Sequence, residues 1–129
     1  MTHRFPLRVY YEDTDLAGIV YYANYLKFIE RARTEFVRAL GIDQTALKAA
    51  EGIVFAVRRI EADYLAPARF DDELTVETLP EAVTGARFVL AQTVLRAGMP
   101  IFRARVTLAA LGEGGRPVRL PAELRLRLP

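Results

Sequence analysis

Between Tyr22 and Leu40 the apolar residues Tyr22, Leu26, Ile29, Phe36 and Leu40 recur at three-, four- and seven-residue intervals, and Gly41 follows them. That period is helical, and glycine is the residue that most readily ends a helix. Such a helix is about 28 Å long, the spine of a small domain, and its apolar stripe has to be buried against something. Lys27, Arg31, Glu35 and Arg38 fall mostly on the other face. The chain after Gly52 supplies the covering surface. Segments at 53–66, 73–79, 87–97 and 101–111 have strand texture, and "PARFDD", "PEAVTGA" and "GMP" between them are turn chemistry. In the last segment Phe102, Ala104, Val106, Leu108 and Ala110 share one face, with Arg103, Arg105 and Thr107 opposite. A two-residue period of this length marks a sheet with one face on a core. A strand at Phe5–Tyr11 precedes the helix, and "DQTALKAAEG" marks a short second helix. The expected class is α+β, a long central helix wrapped by an antiparallel sheet of about five strands. The tail "VRLPAELRLRLP" alternates Leu with Arg and is expected as an exposed edge strand.

At 129 residues and 52% hydrophobic, the span 1–129 reads as one compact domain. Its 18 basic and 16 acidic residues nearly cancel, and no basic run exceeds Arg58-Arg59, so a nucleic-acid partner is not expected. There is no cysteine, hence neither a disulfide framework nor a thiolate site. There is no serine, and the one histidine, His3, is expected to lie in a disordered end. That inventory removes Ser-His-Asp and Cys-His catalysis and zinc sites built from His and Cys. Carboxylates, tyrosines, arginines and backbone amides must carry any chemistry. The start "MTHRFPLRV" has no apolar signal region and no run reaches transmembrane length, so a soluble cytoplasmic protein is expected. One asparagine, two glutamines and sixteen arginines point to heat adaptation.

Three acids, Glu12, Asp13 and Asp15, crowd the loop that runs into the helix. "DTDLAG" begins like a calcium loop, but Ala17 and Asn24 stand where that loop needs a carboxylate or amide and a glutamate. A structural reading makes Asp13 or Asp15 a turn former, or an acid near the positive helix end, worth ~0.3–1 kcal/mol there. A catalytic reading notes a carboxylate near exposed helix amides, beside Gly18 and aromatic walls. Those are parts that acyl transfer requires.

The stretch "VYYEDTDLAGIVYYANYLKFIERARTEF" resembles the signature of the 4-hydroxybenzoyl-CoA thioesterase family of hot-dog folds. Within that family it is most like the acyl-CoA thioesterases associated with the Tol-Pal system. "RRIEADYLAPARFDDELTVET" resembles a second family block, so the likeness runs from Arg8 to about Leu111. It implies a helix wrapped by an antiparallel sheet, and homodimers or homotetramers with the active site at the dimer interface. By position it implies Asp15 as the catalytic aspartate and the Tyr22 backbone amide as the group that polarises the thioester carbonyl. Close relatives often carry histidine at that second position. Gly18, Ile19 and Val20, between the two, are assigned to the substrate wall. The arginine pair that holds the nucleotide in members acting on aromatic substrates falls near Thr84 and Gly85, which leaves Arg58, Arg59 and Arg87 as phosphate candidates. Structural roles are expected for Glu30 (pairing with Arg33), for Tyr25 and Phe28 (core or dimer contacts), for Asp71-Asp72 (a turn) and for Asn24 (a cap).

The implied activity is hydrolysis of an acyl-CoA thioester, with no metal or redox cofactor, coenzyme A being part of the substrate. A hydratase would need a histidine partnered with a carboxylate, and His3 is badly placed for it. The alternative from another class is a non-catalytic acyl-thioester-binding or scaffolding hot dog.

Overall fold

The computed structural model of the chain describes residues 2–128. Met1 and Pro129, the ends of the expected domain span and the last residue of the expected edge strand, lie outside the described residues. Along the chain run β1 (His3–Arg8), α1 (Asn24–Ala39), α2 (Gln44–Glu51), β2 (Val54–Tyr64), β3 (Glu73–Thr84), β4 (Arg87–Arg96), β5 (Met99–Leu111) and α3 (Ala122–Arg127). The five strands form one sheet in the order β1-β3-β4-β5-β2, each neighbour antiparallel. The face formed by Phe102, Ala104, Val106, Leu108 and Ala110 is buried, as the alternation in β5 requires.

α1 lies on that face and buries Tyr25, Phe28, Ile29, Ala32, Phe36 and Val37. The helix begins at Asn24 rather than Tyr22, and Tyr22 and Leu26 stay exposed. Fully buried Phe28, Ile29 and Phe36 set which face meets the sheet and turn those two positions off it. Its C-terminus closes as Gly41 forecasts. Gly41 takes φ +85°, its N–H donates to Arg38 and the Ile42 N–H donates to Val37, which satisfies two end carbonyls.

A buried polar cluster fastens helix to sheet. Gln92, on β4 and wholly buried, donates to the Ile29 carbonyl at 2.9 Å and to Thr78 Oγ1 at 3.0 Å, and accepts from Arg33 Nη1 at 3.0 Å. Arg33 therefore turns inward to Gln92, and Glu30 instead accepts from Thr34 at 3.0 Å. The expected Glu30–Arg33 pair is replaced because a guanidinium amid apolar side chains takes the acceptor the sheet offers. Burial lowers the Arg33 pKa, with Glu30 opposing that shift.

Several boundaries differ from those read in the sequence. β3 continues through "PEAVT" to Thr84 with a bulge between Pro80 and Ala82. β1 pairs with β3 only as far as Thr78, so the proline sits where one side of the strand is open and beside a bulge, settings a strand proline tolerates. The β4–β5 turn is Ala97-Gly98, both at positive φ (+50° and +80°), the backbone of a two-residue hairpin. His3 is the first residue of β1 and packs its ring edge-on against Phe36 at 6.1 Å; it is not a disordered end. The tail is not an edge strand. Leu120, Leu124 and Leu128, spaced by four, are buried, so the helical period overrides the Leu/Arg alternation, and the Arg127 guanidinium donates to the Leu40 carbonyl at the end of α1.

Candidate active site

The loop between β1 and α1 is tied together largely by its own backbone. Thr14 and Val20 form an antiparallel bridge, and the Asp15 N–H donates to the Ile19 carbonyl at 2.9 Å. The Gly18 N–H returns to the Asp15 carbonyl at 2.9 Å, and Gly18 takes φ +79°. A side chain at Gly18 would meet open space, so it is this left-handed backbone that calls for glycine. Ile19 bridges to Arg69, and the Val20 N–H donates to the Ala68 carbonyl at 2.8 Å, which docks the loop on the segment before β3. Asp71 and Asp72 shape that segment: Asp72 accepts the Arg69 N–H at 2.8 Å and pairs with Arg96 at 3.1 Å.

The acids divide sharply. Asp13 is buried, its carboxylate accepts the Tyr10 N–H at 2.8 Å, and its carbonyl accepts both the Tyr21 N–H and Asn24 Nδ2 at 2.9 Å. It is the hub of the turn, and Asn24 ties the helix start to it. Asp15 is half-buried and its Oδ1 accepts the Ala17 N–H at 2.9 Å, which orients the carboxylate. Among the described residues no cation lies within salt-bridge distance of Asp15. Two aromatic rings stand near the end of the same loop. Tyr21 and Tyr22 lie with centroids 4.9 Å apart. The Tyr22 phenol first, then burial and the Asp15 charge, hold the Tyr21 phenol above its ordinary pKa.

At the helix entrance the Tyr21 carbonyl accepts the Asn24 N–H at 2.8 Å and the Ala23 carbonyl accepts the Leu26 N–H at 3.1 Å. Among the described residues the Tyr22 and Ala23 N–H groups have no acceptor. Free amides at the positive end of a helix, in a loop that also carries an unneutralised carboxylate, are suited to receiving a carbonyl oxygen as it gains charge.

The other expected site residues are dispersed. Gly18 is exposed at the turn and Ile19 is half-buried beside it. Val20, expected on the substrate wall, is a core residue at 3% exposure, because the bridges on either side turn it inward. Arg58 and Arg59 lie midway along β2, at a bulge, and Arg59 pairs with Glu61 at 3.5 Å. Arg87 pairs with Thr84 at the end of β4 remote from Arg96, whereas the acidic loop docks near Arg96. One copy of the chain does not bring Arg87 to Asp15. Among the described residues no three His, Asp or Glu side chains converge to hold a metal ion. Tyr64 was not singled out by the sequence, although it lies within the second family block. Its hydroxyl donates to the Tyr22 carbonyl at 2.9 Å.

A model of the thioesterase superfamily matches residues 17–101. The chain is 42% identical over 122 residues to the acyl-CoA thioesterase YbgC of Haemophilus influenzae, covering 94% of this chain and 90% of that protein. A solved probable thioesterase from Bartonella henselae is 40% identical with a TM-score of 0.90, covering 94% of this chain and 100% of that one. The structure of a 4-hydroxybenzoyl-CoA thioesterase with 4-hydroxybenzoyl-CoA shares the fold, at a TM-score of 0.93 and 24% identity over 99% of each chain. The chain belongs to the thioesterase superfamily and is a thioester hydrolase with the hot-dog fold.

Proposed function

We propose that this chain hydrolyses an acyl-CoA thioester to a carboxylic acid and free coenzyme A. One observation carries the reading: Asp15, oriented by the Ala17 N–H and without a cation partner, shares its loop with the acceptor-free Tyr22 amide. The 42% identity to an acyl-CoA thioesterase supports the substrate class. In the general-base form, Asp15 takes a proton from water as the water oxygen bonds to the thioester carbon. The carbonyl oxygen, now anionic, is held by the Tyr22 N–H. The C–S bond then breaks, the thiolate collects the proton from Asp15, and acid and thiol leave. Thiolate is a good leaving group, so the step needs neither strong acid assistance nor a metal or redox cofactor. In the nucleophilic form Asp15 attacks the carbon itself and the C–S bond breaks to release the thiolate. Water then opens the resulting anhydride, returning the Asp15 carboxylate and giving the acid and a proton for the thiolate.

On this reading the protein works in the cytoplasm as a homodimer or homotetramer, and Arg58, Arg59 and, from a second copy, Arg87 remain the candidates for the coenzyme A phosphates. Among the described residues no helix is long and apolar enough to cross a membrane. Turnover of a panel of short aliphatic, long aliphatic and aromatic acyl-CoAs, followed by thiol release, tests the assignment. Saturable hydrolysis of at least one is expected. Binding without hydrolysis across the panel would instead favour an acyl-thioester-binding scaffold.

A further inference from the structure

Tyr64 is the last residue of β2 and pairs with Phe102 of β5. Its ring stands edge-on to three others, with centroids 4.9 Å from Phe102, 5.6 Å from Tyr25 and 6.3 Å from Tyr22. Phe102 is wholly buried and stacks on Tyr25, whose hydroxyl accepts the Ala68 N–H. The Tyr64 hydroxyl is therefore presented from a fixed point on the core and not from a free side chain. Desolvation, and secondarily Tyr22, hold its pKa above the ordinary tyrosine value, so it remains a proton donor at neutral pH.

The carbonyl it meets is one that α1 leaves unused. The Leu26 N–H goes to Ala23, and among the described residues Tyr64 is the one partner of the Tyr22 carbonyl. A peptide unit is planar, so holding that carbonyl fixes the plane that carries the Ala23 N–H. The preceding plane, which carries the Tyr22 N–H, is held by the Asn24 bond to the Tyr21 carbonyl. The two planes that meet at Tyr22 are thus each tethered once.

We propose that Tyr64 is the positioning residue of the oxyanion site: its hydrogen bond fixes the peptide plane that carries the Ala23 N–H, the second acceptor-free amide at the helix entrance, and so the direction in which that amide meets the thioester oxygen beside the Tyr22 N–H. The inference rests on the assignment of Asp15 and Tyr22 made above. Donors stabilise a developing charge most when they need not reorganise as it forms. A hydrogen bond to the Tyr22 carbonyl also polarises that peptide and strengthens the N–H at its other end, that of Ala23. Because Tyr64 ends an edge strand, the same bond links the state of that edge to the reaction centre.

Tyr64→Phe keeps the ring and removes only the hydroxyl. Its kcat for the best acyl-CoA should fall about ten-fold, less than the loss of a whole donor would cost, with KM changed less than two-fold. Infrared difference spectra of a carbonyl-labelled acyl-CoA bound to Asp15→Asn supply a readout that packing does not move. The bound carbonyl stretch should be lowered there, and less so in Asp15→Asn with Tyr64→Phe. An undiminished lowering in the double variant, or wild-type kcat in Tyr64→Phe, overturns the positioning role and leaves the thioesterase reading standing. A wild-type protein that hydrolyses no acyl-CoA overturns both.

Discussion

The Asp13 carboxylate accepts the Tyr10 N–H at 2.8 Å and is buried, whereas Asp15 has one oxygen held by the Ala17 N–H and, among the described residues, no cation beside it. The difference in surroundings predicts a difference in variants. Asp15→Asn keeps the size and can still accept the Ala17 N–H, so it removes ionisation alone. We expect kcat to fall ~10²–10⁴-fold with the melting curve unchanged. Asp13→Asn should do the reverse, costing about 1 kcal/mol of stability while kcat stays within a few-fold. Steady-state kinetics and thermal melts on the pair check both, and near-wild-type turnover in Asp15→Asn would return the loop to a structural role. The two chemical roles for Asp15 separate by where oxygen goes. A single turnover in ¹⁸O-water should label only the product acid if Asp15 activates water. Label appears on the enzyme only if an anhydride forms and water attacks the Asp15 carboxyl carbon.

Among the elements, α1 shows what a sequence pattern can and cannot specify. Its period and its terminal Gly41 were legible because both are local. So was most of the buried face, since Ile29, Phe36 and Leu40 of the stripe and the expected contacts Tyr25 and Phe28 are all buried. Tyr22 and Leu26, read into the same stripe, are exposed, because packing of the buried rings sets the face. The inward Arg33 was hidden, because its acceptor is on β4, 59 residues away. Asp15 and Tyr22 were legible as candidates because one contiguous block carries both. Tyr64 was not, because its contact spans 42 residues and nothing in its own segment forecasts the Tyr22 carbonyl. The tail misled because leucines at spacing four also alternate with arginines. The Arg33–Gln92 contact makes a testable claim about α1. Gln92→Leu leaves a nearly buried guanidinium without its acceptor, and should cost about 3 kcal/mol. Adding Arg33→Met removes the stranded charge and should recover most of that loss. Urea unfolding of the two variants measures it, and additive losses would show that the contact does not couple helix to sheet.

At the scale of the whole molecule, two expectations remain open to measurement. A chain with no cysteine, one asparagine and sixteen arginines should melt above the ordinary range of roughly 45–65 °C, and a calorimetric midpoint inside that range would sink the claim. The second expectation concerns assembly. The sheet has two edges, and they are unlike. β1 is six residues long and contains Pro6, which makes it a poor template for another strand. β2 is eleven residues long, has no proline, and exposes Val54, Val57 and Ile60. Exposed Leu26 on α1 lies beside Ile60, since both line one shallow cavity with Lys27, Glu30 and Arg31. An edge of that length with apolar residues beside it calls for a cover, and a second copy paired along β2 provides one. We therefore expect a dimer at minimum in light scattering. Ile60→Lys places a charge on that edge and should shift the protein toward monomer. Since β2 ends in Tyr64, whose hydroxyl holds the Tyr22 carbonyl, the shift should lower kcat with it. A folded Ile60→Lys monomer with full activity would refute the edge pairing as a requirement for the site, and would leave Asp15 and Tyr22 to act within one copy of the chain.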